Sequence, residues 1–369
     1  MKIERIELLH IVIPLRLPFE TSYGRDDNME KLLLKIYTQD IVAYSECVAE
    51  VLPTYSYETI GTAKEILKAC IFPLILGREI AGPKEYCRLT SWIRGHEMAR
   101  AGVENAFWIL TALEKGVSLA ALLGGSREKI VSGVSIGIQD TPESLVDLVG
   151  GYLDEGYPRI KIKIKPGMDL KFIEAVRKHY PNIALMVDAN NAYSLNDIDT
   201  LQAFDEYGLM MAEQPLDYDD IIDHSKLKKM IKTPICLDES IHSPYFARVA
   251  IELDACQIMN MKQARVGGLT AAIEIHDLCM KHNIGIWCGG MMETGIGRAL
   301  NVALSTLPNF VYPSDISASD RYWDRDIIDP GFALNRDGTI DVPVGPGLGV
   351  TVNEETIRRY AIGHEVFRK

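Results

Sequence analysis

Apolar and polar positions tend to alternate over the first fifty residues: Ile3, Ile6 and Leu8, then Leu32, Leu34 and Ile36, then residues 43–48. A period near two is that of a strand with one buried face, so three antiparallel strands are predicted there. Between the first two lies Leu17-Pro18-Phe19-Glu20-Thr21-Ser22-Tyr23-Gly24, whose turn-forming residues predict a loop. The period then lengthens. Residues 57–116 read as helices, most clearly at 99–113, where apolar groups recur at helical spacing among good helix formers.

From about Val131 the texture changes again. Short β-branched or apolar runs recur at 134–138, 160–164, 184–187, 209–212, 235–237, 255–259, 284–287 and 310–312. Amphipathic stretches such as 170–179 and 269–282 separate them. Strands alternating with helices imply a parallel sheet, and eight such units imply a closed (β/α)8 barrel. An open doubly wound sheet is the competing reading, but no GxGxxG follows a strand. The tail carries Asp329-Pro330-Gly331 and Pro343-Val344-Gly345-Pro346-Gly347, turn-rich sequence expected to fold back on the first domain. The expected organisation is an α+β capping domain over 1–125, a barrel over 126–325 and a C-terminal segment, 326–369, returning to the capping domain.

Composition narrows the function. With 39 basic and 51 acidic residues the net charge is −12, which argues against nucleic acid or anionic membranes as partners. Small anions stay admissible, because a few lysines in one cleft can oppose the global sign. The first residues lack the apolar core of a signal peptide, and no apolar run is long enough to span a bilayer. The seven cysteines are scattered and include no CxxC pair, so reduced thiols in the cytoplasm are expected and a zinc site is not.

In a closed barrel, chemistry gathers where the strands end at their C-terminal side. The predicted strands end in Lys161-Ile162-Lys163, Asp188-Ala189-Asn190, Glu213-Gln214, Asp238-Glu239, Asn260-Met261-Lys262 and Gly289-Gly290-Met291. Successive steps from Lys163 to Asp188, Glu213, Asp238 and Lys262 are 25, 25, 25 and 24 residues, about one β/α unit each. Charged groups therefore fall at one height round one mouth. Three carboxylates so gathered would repel one another, and a hard divalent cation relieves that. Lys161, Lys163 and Lys165 share a strand face opposite Ile160, Ile162 and Ile164, so the lysines point inward. Crowded ammonium groups are expected to show a pKa lowered from about 10.4 toward that of a general base. A metal beside a lysine suits proton abstraction next to a carboxylate, where an enediolate must be stabilised. A Schiff-base aldolase, a two-carboxylate glycosidase and a non-catalytic barrel are the other readings of such residues; the in-register lysines have no task in the second.

The order Lys-x-Lys, Asp, Glu, Asp, Lys resembles the enolase superfamily, in its muconate-lactonizing-enzyme-like branch, over nearly the whole chain. The mandelate-racemase-like branch has a histidine base after the seventh strand, where this chain reads Ile286-Trp287-Cys288-Gly289. The runs Gly133-Val134-Ser135-Ile136-Gly137, Arg265-Val266-Gly267-Gly268 and Ser317-Ala318-Ser319-Asp320-Arg321 are similar to o-succinylbenzoate synthases related to N-succinylamino acid racemases. Dipeptide epimerases carry Asp-x-Asp after the eighth strand, where this chain has Pro313-Ser314-Asp315. Relatives often read Lys-Pro-Gly where it has Lys262-Gln263-Ala264.

The resemblance implies a Mg²⁺-dependent dehydration of 2-succinyl-6-hydroxy-2,4-cyclohexadiene-1-carboxylate in menaquinone biosynthesis, or racemisation of N-succinyl- or N-acylamino acids at the same site. Asp188, Glu213 and Asp238 would bind the ion, with Mn²⁺ as its substitute. Lys163 and Lys262 would be the acid and base groups. Ser135, Lys161, Asn190, Gly290 and Met291 would contact a small carboxylate substrate, and Glu239 would stand behind the metal ligands. Residues 19–24 and 50–55 of the capping domain would close the site. A homo-oligomer is expected on the same ground.

Overall fold

The computed structural model describes residues 1–369. The alternating N-terminal pattern builds β1 (Arg5–Thr21), β2 (Gly24–Tyr37) and β3 (Val42–Cys47), paired antiparallel as predicted. The expected loop at 17–24 is not one. β1 runs through it to Thr21, leaving only Ser22 and Tyr23 as the turn. The ladder breaks between Pro14 and Phe19, where prolines cannot donate, then resumes with Phe19 opposite Asp26. The tip stays extended because it leans on the barrel. Ile138 N–H donates to Glu20 O at 2.8 Å, and a Cβ on Gly137 would come within 2.8 Å of Glu20 N. The helix Glu97–Lys115 lies between β3 and the helix Leu269–Lys281 and is buried for most of its length.

After a short strand β4 (Lys129–Val131) come the barrel strands: β5 (Val134–Ile136), β6 (Arg159–Lys163), β7 (Ala184–Asp188), β8 (Ala212–Glu213), β9 (Ile235–Leu237), β10 (Ile258–Met261) and β11 (Gly285–Cys288). They form one parallel sheet in chain order. Helices between them cover the outer face, where Ile160, Ile162 and Ile164 are fully buried. The fourth and sixth strands sit later in the chain than expected, at 212–213 and 258–261. The eighth expected strand, 310–312, does not form. Residues 309–315 instead link the two edges irregularly: Val311 N–H donates to Ile286 O and Asp315 N–H to Cys288 O on one side, and Gly133 N–H to Ser314 O on the other. Pro313 lacks a donor and interrupts a regular ladder there.

The tail supplies β12 (Ile328–Asp329), paired with β14 (Thr351–Val352), and β13 (Thr339–Asp341), paired with β4. It ends in β15 (Ala361–Arg368), which joins the N-terminal sheet in the order β15-β1-β2-β3. No helix is long and apolar enough to cross a membrane. All seven cysteines are free.

Candidate active site

Strand register brings the expected residues to one mouth. Lys163 lies opposite Asp188 in the β6–β7 ladder, and Asp188 opposite Glu213 in β7–β8. Asp238 follows β9 and Lys262 follows β10. The backbone at these strand ends is unusual. Asn190, Asn191, Gln214 and Met292 all have positive φ, the kind of sparsely populated geometry that clusters at functional sites. Gln214 uses its side chain to accept from Asp238 N–H at 2.9 Å, which holds the third acid in place.

The lysines are seated on the acids. Lys161 Nζ stands 2.9 Å from Glu213 Oε2, 3.2 Å from Asp188 Oδ2 and 2.5 Å from Asp315 Oδ2. Lys163 Nζ donates to Asp188 Oδ2 and to Asn190 Oδ1, both at 2.6 Å. Lys262 Nζ donates to Asp238 Oδ2 at 2.8 Å, Arg265 donates to Asp238 Oδ1, and the Lys262 ammonium lies 4.3 Å from the centre of the Tyr55 ring. The three carboxylates do not already converge as one cation cage. Each instead faces an ammonium or a guanidinium.

Electrostatics follow from these contacts. Burial would raise Asp188, but the Lys163 and Lys161 ammonium groups outweigh it and hold its carboxyl well below the usual range. Glu213 is pushed up to about 8, by burial first and then by the Asp188 charge. Burial would likewise raise Asp238 and Asp315. Lys262 and Arg265 hold Asp238 down, and Lys161 and Arg159 hold Asp315 down to about 2. The expected lowering of lysine pKa is not found at Lys161 or Lys262. Burial pulls both down, but the carboxylates they touch raise both well above the ordinary value. Opposite charge at contact distance outweighs crowding between ammonium groups.

The donor set fits a hard divalent ion in kind. It offers only oxygen, at the ends of three adjacent strands, and a single ammonium already bridges Asp188 and Glu213. Glu239, the next residue after Asp238, accepts from Tyr23 OH at 2.6 Å and from Asn190 Nδ2 at 2.9 Å. Its other oxygen is buried without a partner, and burial pushes the acid up to about 7.

Ser135, Lys161, Lys163, Lys262 and Gly290 line one pocket with Phe19, Arg298 and Asn301. Lys163, Asn190, Lys262, Gly290 and Met291 line a second space of about 450 Å³, whose outer wall is the β1–β2 hairpin and residues 50–55. Both spaces share the two lysines. The capping domain therefore closes over the mouth, with Ser22 Oγ donating to Asn190 O at 2.9 Å and Lys165 Nζ reaching Glu20 Oε1 at 3.1 Å. Glu293 turns inward to structure: it accepts from Met291 N–H and from Asn301 Nδ2, both at 2.9 Å.

Arg159, Asn260, Arg265 and Asp315 are site residues that the sequence pattern does not single out, whereas Tyr55 lies in the segment 50–55 expected to close the site and meets Asp238 there. The period of two carries a signal for Arg159, two before Lys161, and for Asn260, two before Lys262. Asp315 comes from an irregular segment and carries none.

Residues 4–124 match the N-terminal domain model of the mandelate racemase / muconate lactonizing enzyme family, and residues 144–356 match the enolase C-terminal domain-like model. The chain belongs to the enolase superfamily. Within that superfamily it is 47% identical over 368 residues to an o-succinylbenzoate synthase of Bacillus subtilis, covering 100% of this chain and 99% of the relative. It is 46% identical over 351 residues to an N-succinylamino acid racemase of an Amycolatopsis species, covering 95% of each. A crystal structure of an enolase-superfamily member from Listeria innocua superposes with a TM-score of 0.96 at 42% identity, covering 100% of this chain and 99% of the other. The superfamily fold, a barrel capped by an α+β unit, is the one described above.

Proposed function

We propose that this chain is a Mg²⁺-dependent o-succinylbenzoate synthase of menaquinone biosynthesis, dehydrating 2-succinyl-6-hydroxy-2,4-cyclohexadiene-1-carboxylate. The observation that carries the reading is the pair Lys163 and Lys262 lining one cavity. They end the second and sixth of eight barrel units, so the ring sets them on opposite sides, with the three acids on the strands between. A bound carboxylate would then have an ammonium or amine on each face.

Asp188, Glu213 and Asp238 would hold the divalent ion, which supplies the positive charge that makes the α-proton acidic. Lys163 takes that proton from carbon, its Nζ aimed by Asp188 and Asn190. Lys161 faces the substrate carboxylate, and Lys262 stays charged against the enediolate. The electron pair then expels hydroxide from the neighbouring carbon. Lys163 returns its proton to the leaving oxygen, so water departs and the ring becomes aromatic. Ser135, Gly290 and Met291 line the space that the substrate fills.

Racemisation of N-succinylamino acids is the second reading. It is favoured by the same two lysines and by the 46% identity to a racemase. It needs only that Lys262 deliver a proton to the face opposite Lys163. Purified enzyme assayed on both substrates, with and without EDTA, tests the proposal. Dehydration that vanishes with EDTA and returns with Mg²⁺ is expected, and the ratio of the two kcat/KM values ranks the activities. Activity that survives EDTA together with an adduct trapped by borohydride would point to a Schiff base and overturn it.

A further inference from the structure

Lys262 leaves β10 into a tight turn, residues 263–268, before the helix Leu269–Lys281 begins. Inside the turn, Val266 N–H donates to Lys262 O at 3.4 Å and Gly268 N–H to Gln263 O at 2.8 Å. Two consecutive residues of the capping-domain helix Glu97–Lys115 grip both ends of it. At the near end, Asn105 Nδ2 donates to Gln263 Oε1 at 2.6 Å. At the far end, Glu104 accepts from Leu269 N–H at 2.8 Å, from Thr270 N–H at 3.1 Å and from the Thr270 hydroxyl. Asn105 Oδ1 also accepts from Leu269 N–H, at 3.2 Å, and Trp108 Nε1 braces Glu104 at 2.8 Å.

Glu104 and Asn105 are both fully buried, and Gln263 is 1% exposed. A carboxylate taken out of water is costly unless it is matched, and a helix N-terminus needs only a small polar residue before its first turn. Here that residue is Gly268, at φ +117, whose Cβ would lie 2.3 Å from Glu104 Oε2. The chain thus leaves the cap vacant and brings a carboxylate from another domain to fill it. Lys163 has no such arrangement. It ends a strand paired residue by residue to β7 and is aimed by Asp188 and Asn190.

We propose that Glu104 and Asn105 are positioning residues by which the capping domain sets the placement of Lys262, and so govern proton transfer on the Lys262 face alone. The inference rests on the second reading of the proposed function, racemisation, in which Lys262 exchanges a proton on the face opposite Lys163. It makes the capping domain a part of the acid–base apparatus as well as a cover.

The test is exchange of the α-hydrogen of each enantiomer of an N-succinylamino acid with D₂O, followed by proton NMR on full-length enzyme with Mg²⁺. Lys262→Ala first identifies which enantiomer depends on Lys262. Asn105→Ala, and Gln263→Leu from the barrel side, are then expected to lower kcat for that enantiomer by about tenfold or more, since a small misplacement of a reacting group is costly. The other enantiomer should stay within about twofold, with KM unchanged for both. Gln263→Leu removes the same bond from the barrel side and leaves Asn105 Oδ1 to accept from Leu269, so it should give the split by itself should Asn105→Ala not fold. Equal losses on the two faces, or no loss in variants with wild-type unfolding midpoints, would overturn the inference. If Lys262→Ala leaves both exchanges intact, the two-lysine reading itself fails, and the inference with it.

Discussion

The floor and the mouth of the barrel are built on the same strands and the same inward face, yet they share no chemistry. At the floor Met186, Met211, Cys236, Ile258 and Trp287 form a fully buried, mostly apolar cluster. Two residues further along each strand stand Asp188, Glu213, Asp238 and Asn260, and two beyond Asn260 stands Lys262. On those strands one step of about 6.6 Å separates an apolar layer from an ionic one, whereas β6 places Lys161 level with Met186 and Arg159 below it. Trp287 marks the boundary. Its indole N–H donates to Cys236 Sγ at 3.3 Å, while the Lys161 ammonium and the Arg159 guanidinium lie 4.9 and 5.3 Å from its ring centre. Side-chain direction is thus set by strand period alone. Depth along β7 to β10 separates packing groups from charged ones, and β6 carries its charges deeper, where Trp287 and Asp315 meet them.

Substitutions at the two levels should differ in kind. Lys163→Ala is expected to cut kcat about 10³-fold for both proposed reactions, since a general base contributes on that scale, with a smaller cost to unfolding because Lys161 still touches the Asp188 carboxylate. Measurable turnover near wild type would remove Lys163 from the chemistry. Trp287→Ala should do the reverse. Emptying a fully buried indole site costs about 3–5 kcal/mol in urea unfolding, and a loss below about 1 kcal/mol would mean that the floor is not a packed layer.

Glu46 is a buried acid away from both levels, and it touches no cation. Glu46 accepts from Thr294 N–H at 3.2 Å, from the Thr294 hydroxyl at 2.5 Å and from Gly297 N–H at 3.0 Å. Burial pushes it up to about 7, against the pull of Lys31, whereas Asp188 at the mouth is held low. A carboxyl raised on folding contributes stability that is full below its ordinary value, about 4.5, and lost as pH rises through 7. In Glu46→Gln the fall in unfolding free energy between pH 4.5 and 8 should therefore shrink by roughly 3 kcal/mol. An unchanged slope would mean that Glu46 ionises normally. The smallest effect belongs to Met186→Leu, a volume-conserving change at the floor. It should cost less than about 1.5 kcal/mol and leave both activities intact.

Much of this site could be read from the chain before any fold was known. The even spacing from Lys163 to Lys262 reports the length of a β/α unit, and the alternation Ile160-Lys161-Ile162-Lys163 reports which side faces inward. Both are local regularities, so they survive in one dimension. The hairpin at 17–24 misled because its turn-formers sit where the barrel edge at Gly137, rather than local preference, keeps the backbone extended. The eighth strand misled because Phe310, Val311 and Tyr312 suit a strand, while Pro313 and the need to join two edges forbid a regular one.

Strand period and unit length were enough to assign the barrel, the ring of acids and the two lysines, because each depends only on neighbours a few residues or one repeat apart. The high lysine pKa values, the Tyr55 and Arg265 contacts to Asp238, and the grip of Glu104 and Asn105 on the Lys262 turn were not accessible that way. They arise where segments 24 to 210 residues apart meet out of water, and an electrostatic interaction takes its strength from the distance and the medium that folding creates.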